Sequence, residues 1–461
     1  MKLHPSYSST VFLLPIAVSA SQPFSCNTTQ VIRRDVTIIG GGASGAYAAI
    51  QLHDLGKSVA LIDRKSILGG HTNTYVDPTT NQTIDYGVHQ WNDLDVVTEF
   101  FERLDVPYTK AFVPSPGDII SFDFNRGKLS NESIIETSVN AYAEVVDKYD
   151  YLQYDTQLPD PVPQDIYRPF GDIVKKYGLE GFVNNLWNGQ GDILTMPALY
   201  FFKDVGPAVV ESMRTNFVYT VNHNNYEIYG NALAILGQDN VFLSTAVSHM
   251  QRLNDSVRIC VESPTGQRLI HSKKLLSTIP PLLHNLHRYD LSEDEKSVFG
   301  QFRAVGYYVS LVRIPGLPSS SFMYKNIASD TVYGQPRLPA IYRITLTEAP
   351  ELYIVEYGSL IPLTDQAVQN GVLRSVETLR RKVGGKLDLK TEIVAYDSHT
   401  PYHVHVSSEA IQDGFYRRLY ALQGHRNTFY SGAAFHAHDS GLLWRFTKGI
   451  IRNLFEELES R

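Results

Sequence analysis

The sequence predicts an α/β fold built on a helix-covered parallel sheet, within one large two-lobed body or two domains. Three observations carry this. A glycine-rich turn, Gly40-x-Gly42-x-x-Gly45, lies between an apolar β-branched run and a helically patterned one. A second apolar run then ends in an acid, Asp63. Finally, 461 residues at 43% hydrophobic and 19% charged are too many for one small core, so two lobes are expected.

Taken in order, Asp35 to Ile39 reads as a strand buried in a parallel sheet. Ala43 to Leu55 repeats apolar residues at helical spacing (Ala46, Ala49, Ile50, Leu52), and Gly56 stops it. Ser58 to Asp63 returns as a second buried strand. In this Rossmann-like unit Gly40 permits a tight turn, Gly42 lets backbone approach a pyrophosphate, and Gly45 lets the helix pack on the sheet. Free amides at the helix N-terminus, including those of Ala43 and Ser44, would hold phosphates, and Asp63 would accept from a ribose.

A second glycine pair follows in "DRKSILGGHTNT", with Asp63, Lys65, Gly69, Gly70 and Thr74 as landmarks. This spacing resembles the second dinucleotide signature of FAD oxidoreductases of the amine-oxidase type. There an acid precedes a basic residue, the glycine pair, usually an arginine, and a threonine. An extended FAD needs another close backbone approach, which side chains would block. His71 stands where that arginine is usual, so a permanent cation is missing. "TIDYGVHQW" resembles the same family's D-x-G strand end, with Asp85, Gly87, and Val88 for the second glycine. The resemblance puts His89, Gln90 and Trp91 on a loop near the flavin ring, with His89 and Trp91 as candidate catalytic residues.

Residues 240–261 alternate like adjoining strands, and 266–281 read as another strand leading to a proline turn. The resemblance sets the backbone of Val247 against the adenine. "TFYSGAAFHAHDSGLLWRF" gives a strand, Gly432, a loop and a C-terminal helix whose N-terminus would face the flavin. Ala433 replaces the acid usual there, so Asp439 substitutes or the ribityl contact is missing.

The resemblance thus implies an α/β fold, a Rossmann-like FAD-binding domain of the amine-oxidase type from 31–95, 235–285 and 425–461 interleaved with a mixed α+β substrate domain from 96–234 and 286–424. Cofactor contacts are assigned to Gly40, Gly42, Ala43, Ser44, Gly45, Asp63, Arg64, Lys65, Gly69, Gly70, His71, Thr72, Val247, Gly432, Ala433 and Leu442. No Cys follows Cys260, so FAD is expected to be held non-covalently. "GGHTNTY", "IDYGV" and "SGAAFHAHDSGLLWRF" are similar to the fungal β-cyclopiazonate dehydrogenase group. That likeness implies hydride removal from a C–H bond of a bulky polycyclic or aromatic natural product, with possible ring closure. Oxygen or another acceptor would take the electrons. The alternatives are an amine or amino-acid oxidase releasing peroxide, and a non-catalytic flavin-fold binding protein.

Other features set limits. A net charge of -7 and a pI near 6.1 argue against nucleic acid or an anionic membrane surface. The 28 Tyr, 21 Phe and 3 Trp suit a pocket for a flat organic ligand. Lys2 and His4 before "VFLLPIAVSA" read as a signal peptide over 1–20, too short to span a bilayer. Asn27, Asn81, Asn131 and Asn254 open glycosylation sequons, which agree with a secreted or secretory-lumen protein. Cys26 and Cys260 could form one disulfide in an oxidising compartment but make no framework, and two unpaired thiols are the favoured reading. His399, His403, His405, His436 and His438 lack an acid or Cys to complete a ligand set, so no metal is expected. Trp187 and Gln190 are candidate substrate-lobe contacts.

Overall fold

The computed structural model describes residues 24–460 apart from 113–117, 131–138, 186–190, 319–320 and 386–387. The leader, Asn131, Trp187 and Gln190 therefore lie outside the described residues.

Strands β1 (Val31–Ile39) and β2 (Val59–Ile62) run parallel, joined by helix α1 (Ala43–Asp54). β1 begins four residues earlier than the predicted run, because Val31–Arg34 pair with Leu269–Ser272 although none of the four is buried. The sheet continues in the order 241–242, β2, β1, 266–277, 257–263, 246–252, with 428–430 paired to the inner end of 266–277. Ala46, Ala49 and Ile50 of α1 are fully buried. Beside α1 packs the C-terminal helix Ser440–Glu459, where Tyr47 stacks on Trp444.

Two helices that the sequence placed in the second lobe belong to this layer. Asp95–Arg103 sets Phe100 edge-on to Tyr47 at 4.9 Å and to Trp444 at 4.7 Å. Glu227–Leu236 brings Tyr229 over Gly69. Boundaries at 95 and 235 divide packed structure, because an amphipathic helix does not announce which sheet it covers.

The second lobe is built on a sheet ordered 392–398, 303–313, 352–359, 340–346, 321–326, 118–123, 128–129. Helix Asp365–Val383 covers one face, where Tyr308, Ile344 and Val355 meet Val368, Val372 and Val376. Their neighbours Tyr307, Arg343 and Glu356 point the other way, as the period of two requires, and line a cavity between the lobes.

The expectation of two free thiols is corrected. Cys26 and Cys260 form a disulfide, with Cα atoms 5.5 Å apart. The segment before β1 lies along the hairpin, where the Asn27 N–H donates to Gln267 Oε1 at 3.0 Å. A separation of 234 residues hides that proximity from sequence reading. Among the described residues no helix is long and apolar enough to cross a membrane.

Candidate functional site

The turn between β1 and α1 is forced by contact. A Cβ on Gly45 would lie 1.7 Å from the Gly40 carbonyl oxygen, so only glycine lets the helix start this close to the strand. α1 opens at Gly42 without a side-chain cap, leaving its first amides free for an anion. Ser44 Oγ is buried there with no hydrogen-bond partner. At the end of β2, Asp63 accepts from the Gly41 N–H at 2.6 Å and the Lys65 N–H at 2.7 Å, keeping lone pairs for a further donor.

The second glycine turn docks on the first. Gly70 has φ +60°, and a Cβ there would meet Gly42 Cα at 2.9 Å. Two stretches of bare main chain thus form one cradle that any side chain would fill. Lys65 Nζ donates to the Gly70 carbonyl at 2.9 Å and to Asp397 Oδ2 at 2.9 Å, fastening the turn to strand 392–398.

This cradle opens into a cavity of about 730 Å³ running between the lobes. Gly40, Gly42, Ala43, Ser44, Asp63, Arg64, Lys65, Gly69, Gly70, His71, Thr72, Val247 and Ala433 all line it. Three others stand behind the wall. Gly45 packs on Gly40, Gly432 takes φ +103° against Thr278, and Leu442 is buried while Leu443 reaches the cavity. The donor set fits an extended dinucleotide, with free amides and bare backbone at one end and the start of helix 440–459 at the other.

His89 lines the cavity, with burial pushing its imidazole down to about 4. Trp91 does not. It is 1% exposed, edge-on to Phe101 at 5.0 Å and stacked on Trp444, so its position offers no direct catalytic contact. Its large apolar surface is drawn to the core packed against α1 rather than to the loop surface.

His71 stacks on His399, ring centroids 4.3 Å apart. Burial, reinforced by Lys65, pushes its pKa down to about 4. At neutral pH it is therefore uncharged, and Arg64 and Lys65 are the cations at this end. Asp439 caps helix 440–459, accepting from the Leu442 N–H at 2.8 Å, while its other oxygen accepts from Asn92 Nδ2 at 2.8 Å. Burial raises its carboxyl to about 6.

The far wall carries Tyr307, Tyr402, Arg343, Glu356 and Asp204, which sequence reasoning missed, beside histidines it weighed only as metal ligands. Tyr307 and Tyr402 pack with ring centroids 4.7 Å apart, and His438 lies 4.1 Å from Tyr402. Arg343 pairs with Glu356 at 2.5 Å, and Asp204 with His403 at 2.5 Å. His405 Nδ1 lies 2.7 Å from the His403 carbonyl oxygen, while both ring nitrogens of His436 are buried without partners. No three His, Cys, Asp or Glu groups converge as a metal cage among the described residues.

Residues 38–104 match the family described as NAD(P)-binding Rossmann-like domain. The chain is 36% identical over 452 residues to the FAD-dependent oxidoreductase oblC of Cochliobolus heterostrophus, spanning 94% of this chain and 92% of that protein. It is 34% identical over 432 residues to β-cyclopiazonate dehydrogenase of Aspergillus oryzae, spanning 92% and 93%. Its fold matches cyclohexylamine oxidase from Brevibacterium oxydans at a TM-score of 0.63 and 16% identity, over 92% of this chain and 99% of that one.

Proposed function

The chain belongs to the fungal FAD-dependent oxidoreductases of amine-oxidase fold that include β-cyclopiazonate dehydrogenase, and from that premise we propose that it oxidises a bulky, flat natural product at a C–H bond. Ring closure can accompany such an oxidation in secondary-metabolite biosynthesis. FAD, when bound, supplies the hydride acceptor. The protein orients the substrate, keeps water out and fixes the surrounding charges. Oxygen or another acceptor removes the electrons.

One observation favours this reading over an amine oxidase. Each carboxylate lining the cavity already has partners. Asp63 holds two backbone amides, Asp204 holds His403 and the His438 N–H, Glu356 holds Arg343, and Asp439 caps a helix. A substrate ammonium would have to share a carboxylate that these groups already hold. The wall instead offers aromatic faces and the apolar Val205, Val209, Met213 and Phe217.

The test is anaerobic bleaching of the flavin against a panel of indole alkaloids, terpenoids, amines and amino acids. Bleaching by a polycyclic compound is expected. Turnover of simple amines with peroxide release would favour the alternative, and a colourless protein that takes up no FAD would refute both.

Retention of FAD is proposed to be non-covalent, since Cys26 and Cys260 are joined and no thiol remains for a thioether. Acid precipitation should release all flavin to the supernatant. A secretory location is proposed from the 1–20 leader, the exposed sequon residues Asn27, Asn81 and Asn254, and a disulfide of the kind oxidising compartments sustain. A secreted product beginning near residue 21 and shifting in size with glycosidase would support it; an intact leader on intracellular protein would overturn it.

A further inference from the structure

We infer that His438 is a fixed, uncharged hydrogen-bond donor which, with the neighbouring Tyr402 hydroxyl, forms a subsite for a substrate oxygen of the carbonyl class. The inference rests on the proposed oxidation and narrows its substrate.

His438 precedes the C-terminal helix and is held from several sides. The His403 backbone N–H donates to its Nε2 at 3.0 Å. Its own backbone N–H donates to Asp204 Oδ1 at 3.0 Å, and the Tyr402 ring lies against it. A ring nitrogen that accepts an N–H keeps its lone pair, so the proton of the neutral imidazole sits on Nδ1. A hydroxyl or water could turn and reverse that assignment; a main-chain N–H cannot. Nδ1 itself has no partner among the described residues, and His438 lines the cavity.

The donor that locks the ring is itself held in an unusual conformation. His403 has φ +47°, the left-handed region that a residue with a Cβ seldom enters, and such outliers concentrate at functional sites. Asp204 Oδ2 anchors the His403 ring at 2.5 Å, so one carboxylate orients both histidines. The charged and titratable groups facing His438 are Lys203 and Asp204 from helix 198–204, His71 from the glycine turn, and His399 and His403 from the far wall. Burial keeps the imidazole of His438 well below its ordinary basicity.

The ligand chemistry follows from the donors. The Tyr402 hydroxyl also lacks a partner among the described residues, and burial keeps it protonated. An N–H and an O–H carried on two rings packed 4.1 Å apart, both lining the cavity, call for an acceptor with two lone pairs, which a carbonyl oxygen provides.

The test begins with holoprotein carrying nitrogen-15 histidine. A long-range proton–nitrogen spectrum should show the His438 ring, identified by its loss in His438→Asn, as the Nδ1–H form from about pH 6 to 9. An Nε2–H or doubly protonated pattern overturns the assignment. With a substrate that bleaches the flavin, His438→Asn keeps a donor near Nδ1 and should stay within about threefold of the parent kcat/KM. His438→Leu, at equal flavin content, should lose about tenfold. Equal losses in both, or none in the Leu variant, overturn the subsite. A flavin that nothing reduces, with the Nδ1–H pattern intact, overturns the oxidation and the substrate subsite together. A reducible flavin with an Nε2–H pattern overturns the donor alone.

Discussion

Gly42 and Gly70 stand face to face, so close that a methyl group on Gly70 would lie 2.9 Å from the Gly42 Cα. They come from turns that follow different strands, and each turn leaves the other room for a phosphate. Gly70→Ala adds a Cβ at φ +60°, costing about 1–2 kcal/mol, and closes the cradle. Gly42→Val meets only an ordinary contact at 3.5 Å from Gly70 Cα, so the fold should survive while the branched side chain occupies the phosphate approach. Both variants should emerge from desalting with flavin absorbance reduced about tenfold or more relative to protein. Full flavin content in either would remove the cradle from the cofactor site.

Asp397 ties that cradle to the other lobe. It accepts from Lys65 Nζ and from Asn73 Nδ2, both at 2.9 Å, while Lys65 also holds the Gly70 carbonyl. Asp397 is only 18% exposed, so the pair is less screened than a surface one, though Lys65 at 33% tempers its strength. Asp397→Ala should cost about 1–2 kcal/mol and lower Tm by a few degrees. FAD titration of the apoprotein should show weaker binding as well. A lower Tm with unchanged FAD affinity would mean that Asp397 braces the lobe and not the turn.

Much of the glycine cradle was legible because its causes are local. Gly40 to Gly45 must turn a strand into a helix, and Gly69–Gly70 must keep a second turn bare; both needs are written within a few residues. The far wall of the cavity was not. Tyr307, Arg343 and Glu356 sit on separate strands and alternate with core residues such as Tyr308, Ile344 and Val355. Only the sheet register shows which of each pair faces the cavity. Asp204 ends a short helix whose direction no periodicity reveals, and the Cys26–Cys260 bond needs two distant segments to meet. Trp91 misled for the opposite reason, since its loop position hinted at function while its bulk was claimed by the core.

That reading of Trp91 has its own check. It packs against Phe101 and Trp444 at 1% exposure, so Trp91→Ala should destabilise the protein by about 3–5 kcal/mol. Trp91→Phe should cost far less. In both, the rate of flavin reduction per folded holoenzyme should match the parent. A Phe variant of normal stability with slowed reduction would return Trp91 to the list of catalytic candidates.

The dinucleotide sheet carries a buried ion pair that sets acid stability. Arg252 Nη1 and Nη2 donate to the two oxygens of Glu295 at 2.5 and 2.8 Å, and the Tyr430 hydroxyl donates at 2.6 Å. Both charged side chains are 0% exposed, and Glu295 also completes the capping box of helix Glu293–Phe299. Burial alone would raise the Glu295 carboxyl, but Arg252 and Tyr430 together hold it down at about 2. A folded pKa below the unfolded value of about 4.3 stabilises the fold above that pH. The stabilisation, about 2–3 kcal/mol, is lost as pH falls from there toward about 2. Glu295→Gln removes this dependence and also leaves the Arg252 charge with Asp290 alone, at a cost of about 3 kcal/mol near neutrality. Urea midpoints should therefore fall more steeply for the parent than for the variant between about pH 5 and 3, the curves converging in acid. Parallel curves would show that Glu295 titrates alike in the folded and unfolded chains.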